Sequence, residues 1–213
     1  MSGKDLHFFM AHLDDFELSC IAYLWRKSGD YENIVISVAT EWEPKTQVWK
    51  ENYETICDTL NLTNVKYINH QLGQRSLMTN FDTLKDSFYK TIDFSKRFDI
   101  VTHDNEDCHT DHIACNMIAG GLYKYTNKFV TVYSPSSKNF KANYWIGMSN
   151  GVYDLKKKCV DKYNTSNEQS YTRLGYYIQS ESHYNLGKAY YLENFVHQDF
   201  EHYETYRVMK DIE

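Results

Sequence analysis

Residues 11 to 18 read AHLDDFEL. A short apolar run, Leu6 to Met10, precedes them and reads as a buried strand, and a helical pattern, Glu17 to Lys27, follows. His12, Asp14 and Asp15 therefore fall where a strand ends and a helix begins. In open α/β sheets that place, the carboxyl edge of the strands, is where ligands bind. One His and two adjacent carboxylates at this spacing supply two metal ligands and a spare base. Asp is also a common helix N-cap, but two adjacent Asp after a His exceed what capping requires.

The rest of the chain alternates strand-like and helix-like segments. Strands are expected at 5–11, 33–40 (NIVISVAT, a β-branched run suited to a central parallel strand), 65–69, 99–103 and 128–134. Helices are expected at 17–28, 46–61, 81–93 and 110–126. This βαβα order predicts a Rossmann-like three-layer α/β/α fold with a mainly parallel sheet and right-handed crossovers. The whole of 1–213 is read as one domain, more irregular from about residue 135, with that last part forming one wall of the cleft. There a strand at 143–148 and helices at 154–164, 168–179 and 187–206 are expected.

The fourth strand, DIVTH, runs into a polar loop and then HTDH, residues 109 to 112. This repeats the arrangement at residue 12: a strand, a polar loop, then His and Asp at a helix start. With strands one and four side by side, both loops converge on one sheet edge. A His–Asp set from one loop and a His from the other make a site with three protein ligands. Its fourth position stays open, which is the arrangement of catalytic rather than structural zinc.

AHLDDFEL resembles the AHPDD-x-E-L signature of the zinc-dependent PIG-L/LmbE-type de-N-acetylases, and HTDH resembles their H-P-D-H motif. Lys50-Glu51 through Leu60-Asn61-Leu62, the set Lys156, Cys159 and Tyr163, and Glu193 with Phe195 echo weaker family features. The resemblance implies that His12, Asp15 and His112 are zinc ligands and Asp14 the general base. It implies that His109 stabilises the oxyanion or acts as acid, and that Asp111 orients an imidazole. Zn2+ is the implied metal, with Fe2+ or Co2+ able to use the same ligands. The implied reaction is hydrolysis of an acetamido group, on an amino sugar or a nucleotide- or lipid-linked conjugate, to acetate and a free amine. A non-catalytic sugar- or nucleotide-binding homologue and a zinc amidase acting on a non-sugar amide are the alternatives. This sequence departs from the pattern at Leu13, where the family has Pro, and at Phe16 and Ile21-Ala22, where it has an acidic residue and a Gly-Gly step. Leu13 removes a rigidifying turn residue but no chemistry.

Bulk properties agree with an enzyme of small molecules. The 213 residues carry a formal charge of −6, so no nucleic-acid or membrane footprint is expected. The five Cys form no CxxC pair, and no apolar run approaches the ~20 residues that span a bilayer. The chain is read as cytoplasmic; its oligomeric state is not legible. Aromatics reach 16%, with 19 Tyr, a composition that suits a carbohydrate-facing cleft and, equally, amphipathic packing. Tyr144, Trp145 and Tyr153 are the candidates for contacting a sugar ring, and Gln71, Gln74 or Arg75 for its hydroxyls. His103 and Asp104 are placed to line the site. His70, His183, His197 and His202 read as surface or locally bonded, Lys156 to Lys158 as a solvated helix face, and Gly120-Gly121 as a close-packing step.

Overall fold

The structure is a computed structural model and describes residues 3–134, 136–167, 200 and 202–212. Seven strands are present among them: β1 (Lys4–Met10), β2 (Asn33–Thr40), β3 (Val65–Leu72), β4 (Arg97–His103), β5 (Lys128–Val132), β6 (Tyr144–Met148) and β7 (His202–Asp211). Six α-helices accompany them: α1 (Asp15–Ser19), α2 (Ile21–Lys27), α3 (Glu43–Leu60), α4 (Phe81–Tyr89), α5 (Thr110–Gly120) and α6 (Asn150–Asn167). The strands form one sheet in the order β3-β2-β1-β4-β5-β7-β6. β1 through β5 are parallel, whereas β7 runs antiparallel to both β5 and β6. The fold class is therefore the expected α/β arrangement around a mainly parallel sheet. No helix among the described residues is long and apolar enough to cross a membrane.

The order of strands explains where a site can form. The chain steps outward from β1 to β3, then returns to lay β4 on the other side of β1. The carboxyl ends of β1 and β4 thus become neighbours at a topological switch point, the crevice where ligands bind in such sheets. The register pairs Phe9 with Thr102, so the residues after β1 and after β4 emerge at one level.

Helices cover both faces, so the central strands are mostly apolar, with the buried His7 and Ser37 among the exceptions in β1 and β2. Leu6, Phe8 and Met10 of β1 enter one core with Phe16, Ile21 and Ile36. Phe9 and Ala11 enter the other with Leu84, Phe88, Ile100 and Ile118. Helix α3 starts with Pro44 in its first turn, where a missing N–H costs nothing. It ends at Asn61 in the left-handed region (φ 53°), and Leu62 N donates to Cys57 O at 2.9 Å. Asn is the side chain that best replaces Gly in such a cap. Of the Gly120-Gly121 step, close packing holds at Gly121, where an added Cβ would lie 2.4 Å from the Tyr89 hydroxyl, and not at Gly120, where one would meet nothing within 4 Å.

Some expectations need correction. The helix expected at 17–28 begins earlier, at Asp15, and is broken at Cys20 into α1 and α2. The helix expected at 187–206 does not extend to its end, because His202–Asp211 is a strand. Lys156 is not on a solvated face: it is buried and its Nζ pairs with Glu204 Oε1 at 2.5 Å. The helix expected at 168–179 and the residues His183, Glu193, Phe195 and His197 lie outside the described residues.

One buried group gives the fold an acid sensitivity. His7 is 1% exposed and sits edge-on against Phe88 and Phe98. Neither ring nitrogen has a hydrogen-bond partner among the described residues. Burial, opposed only by the nearby Asp5, lowers its pKa from 6.5 to about 4. The folded state then refuses a proton that the unfolded chain accepts below 6.5, so this contribution is complete above that pH and fades as pH falls towards 4. His7→Phe should remove the effect. Between about pH 6.5 and 4.5, the variant should lose roughly 2–3 kcal/mol less unfolding free energy than the parent, measured by urea titration.

Candidate metal and catalytic site

The loop after β1 and the start of α5 bring the two motifs together. His12 Nδ1 lies 3.2 Å from Asp15 Oδ2 and 3.2 Å from His112 Nε2. His112 Nε2 lies 3.4 Å from Asp15 Oδ2. These three atoms close a triangle. Donors about 2.0–2.2 Å from a tetrahedral zinc ion stand roughly 3.3–3.6 Å apart. The residues present therefore fit a divalent ion in both donor type and spacing.

Each imidazole of the triangle has its other nitrogen on a carboxylate. His12 Nε2 meets Asp111 Oδ2 at 3.2 Å, and His112 Nδ1 meets Asp107 Oδ2 at 2.9 Å. Such pairs fix the tautomer and ring orientation of metal-binding histidines. Both carboxylates are themselves held. Asp111 accepts the backbone N–H groups of Arg75 at 2.6 Å and Leu77 at 3.2 Å. Asp107 accepts His109 N at 2.8 Å, Ser136 Oγ at 2.5 Å and the Ser134 hydroxyl. Arg75 occupies the left-handed region (φ 59°), a costly conformation for a non-glycine residue. It aims the Arg75 N–H at Asp111.

Two other groupings, His12/His109/His112 and Asp15/His103/His112, also bring possible ligand atoms within 4.8 Å of one another. The hydrogen bonds argue against both. His103 Nε2 accepts Ala11 N at 3.0 Å, so its lone pair is taken. His109 Nδ1 accepts Asp111 N at 3.2 Å as the cap of α5, which leaves the proton of the neutral ring on Nε2. His103 instead stacks flat on His112, with ring centroids 3.8 Å apart.

The electrostatics follow from burial against charge. Burial alone would lower the His12 and His112 pKa values, but the facing carboxylates outweigh it. Asp15 and Asp111 hold His12 up at about 9, and Asp15 and Asp107 hold His112 up at about 10. Burial would raise Asp15, but His112, His103 and His12 together keep it well below the usual carboxylate range. At His109 the carboxylates of Asp111 and Asp15 are outweighed. Burial and its neighbours His12 and His112 lower it, so it stays neutral and offers an N–H.

Asp14 is not one of the three donors of the triangle. Its Oδ2 pairs with Lys45 Nζ of α3 at 2.5 Å, and both side chains are buried. Sequence reasoning singled out His12, Asp14, Asp15, His109, Asp111 and His112, and the structure gathers them all at one sheet edge. It missed Asp107 and Lys45. The polar NEDC loop between β4 and HTDH was the available signal for the first, and nothing local marks the second. His70 bonds Ser87 Oγ at 2.7 Å and His202 stacks on Tyr153, both local arrangements. Tyr144 packs against Tyr206 on the far side of the sheet from β3.

Because Asp107 holds His112 through its free nitrogen, Asp107→Asn should leave the fold intact and weaken zinc binding about 10- to 100-fold. Competition with a chromogenic chelator would measure this; an unchanged constant would remove Asp107 from the site.

No protein-family model matches the chain, and no curated protein matches it. Solved structures do. The N,N′-diacetylchitobiose deacetylase of Pyrococcus horikoshii superposes with a TM-score of 0.62 at 12% identity, covering 97% of this chain and 84% of that one. A deacetylase of the teicoplanin biosynthesis pathway gives 0.59 at 13% identity, covering 97% and 99%. GalB, the 4-carboxy-2-hydroxymuconate hydratase of Pseudomonas putida KT2440, gives 0.63 at 11% identity, covering 97% and 96%. Identities this low speak for the fold alone, and a hydratase among the neighbours means that the fold hosts more than one reaction. The chain has the α/β fold of the LmbE-like deacetylases.

Proposed function

We propose that this chain is a metal-dependent N-deacetylase of the PIG-L/LmbE type, hydrolysing the acetamido group of an amino sugar or sugar conjugate. The observation that carries the reading is the triangle of His12 Nδ1, Asp15 Oδ2 and His112 Nε2, with a carboxylate behind each imidazole. The same fold in two named deacetylases supports it.

In this reading His12, Asp15 and His112 hold the ion, and zinc suits the ligand set, as Fe2+ or Co2+ would. Bound there, the ion supplies Lewis acidity to the amide carbonyl and acidifies water. Asp14 lies beside a ligand but outside the triangle, with its carboxylate on the Lys45 ammonium. It takes the proton of the attacking water as the water oxygen bonds to the acetyl carbon. His109 offers its Nε2–H to the oxygen on which negative charge builds. The C–N bond then breaks, and the leaving nitrogen takes up the proton that Asp14 removed, giving acetate and a free amine. Asp111 keeps His12 turned towards the ion.

Acetate release from a panel of acetamido sugars and their conjugates tests the reaction; no release from any of them by the zinc-loaded protein would sink it. Within that assay the variants divide the labour. Asp14→Asn keeps size and polarity but cannot accept the proton. It should retain near-normal zinc and lose turnover by a factor on the order of 10² to 10⁴. His109→Ala should behave alike, whereas His112→Ala, with two protein ligands left, should lose most of the zinc. A metal-free Asp14→Asn protein would mean that Asp14 and Asp15 exchange roles.

A further inference from the structure

The carbonyl of Leu13 sits in the chain between His12 and Asp14, at the centre of the loop that carries the proposed ligands. It accepts a hydrogen bond from Tyr163 OH, at 2.8 Å, across 150 residues of sequence. The same hydroxyl lies 2.9 Å from Glu17 Oε1 of α1. Glu17 Oε1 also accepts Asn52 Nδ2 of α3 at 3.1 Å, and that Asn52 nitrogen reaches Cys159 O at 3.0 Å, one turn before Tyr163 on α6. Tyr163, Glu17 and Asn52 are 1%, 0% and 0% exposed. A buried polar circuit thus joins three helices to one carbonyl.

Packing does not account for it. A phenylalanine would fill the same space, and a buried hydroxyl is tolerated only because it is bonded. The Leu13 side chain is itself 1% exposed in the core beneath the loop. Leu13 is gripped from two sides, by its side chain and by its carbonyl. Leu13 also stands where the resembling family carries a proline. A proline restrains a loop by fixing its own φ; leucine cannot.

We propose that Tyr163 is a positioning residue for the metal-binding loop, its hydroxyl holding the Leu13 carbonyl and supplying the restraint that a proline at position 13 would supply covalently. The inference rests on the metal site proposed above. Donor atoms 3.2–3.4 Å apart tolerate little drift, and the two that come from this loop, on His12 and Asp15, flank the held carbonyl. The hydroxyl therefore sets how well two of three ligands are placed before any ion arrives. Its loss lowers affinity for the ion rather than the stability of the sheet.

The test uses the full chain and zinc alone. Tyr163→Phe should bind zinc about tenfold more weakly than the parent. Amide hydrogen exchange should quicken at residues 12–16 and stay unchanged in β2 and α4. Adding Leu13→Pro to Tyr163→Phe should return the zinc constant to within about threefold of the parent, the coupling expected of two devices with one task. A parent chain that binds no zinc would overturn the metal site and this inference together. A parent that binds zinc while Tyr163→Phe binds it equally well would overturn this inference alone. So would exchange that quickens throughout the chain, which would make Tyr163 an ordinary core residue.

Discussion

One carboxylate oxygen organises the sheet edge. Asp15 Oδ2 accepts the backbone N–H of His12 at 2.7 Å and faces His12 Nδ1, His103 Nε2 and His112 Nε2 at 3.2, 3.3 and 3.4 Å. A buried, unpaired carboxylate would be expensive. Here the cost is offset by His12 and by His112 from the first turn of α5, the two imidazoles whose pKa values are raised beside it. The oxygen therefore fastens the β1–α1 turn to the β4–α5 loop. That fastening is possible only because the sheet order sets β1 beside β4. Topology brings the loops within reach, and electrostatics then fixes them to one another.

The parts of the fold legible in the sequence were those where one physical pattern dominates. Central strands buried on both faces read as predominantly apolar runs, and both His/Asp clusters followed such runs. The helix of residues 17–28 misread because its apolar spacing continues through Cys20, while the backbone there leaves the helical region (φ −131°). β7 misread for a different reason. Tyr203, Glu204, Thr205 and Tyr206 are all buried, so the alternation that marks a half-exposed strand is missing. A charged Glu204 also looks like surface until Lys156, 48 residues away, is seen to neutralise it. Lys45 was unreadable on similar grounds, because its partner Asp14 is 31 residues away, whereas Asp107 lay in a polar loop whose lack of periodicity did not single it out.

The fold by itself does not choose a reaction. A sugar deacetylase and a muconate hydratase both superpose on this chain. Both kinds of chemistry handle water and a polarised oxygen, so a shared sheet edge is unsurprising. What favours amide hydrolysis here is the division among side chains of different character. The set holds two imidazoles with carboxylates behind them, one carboxylate between them, a second carboxylate outside, and a neutral imidazole with its N–H free of the α5 cap. Function is argued from that set, with the fold as a prior.

That division turns on two adjacent residues with opposite surroundings. Asp15 is the first residue of α1, and its side chain folds back to the His12 N–H, into the imidazoles. Asp14 is the cap residue before it, and its side chain pairs with an ammonium on α3. The ammonium lies over the rings of Trp42 and Tyr163, at 5.1 and 5.7 Å from their centroids. Aromatic faces attract a cation, so the two rings add to the hold that Asp14 has on Lys45. One carboxylate is committed to the His12 and His112 imidazoles and the other to the Lys45 ammonium. Adjacent in sequence, they meet different charges because a helix begins between them. That backbone turn sends the two carboxylates of the AHLDD stretch to different partners.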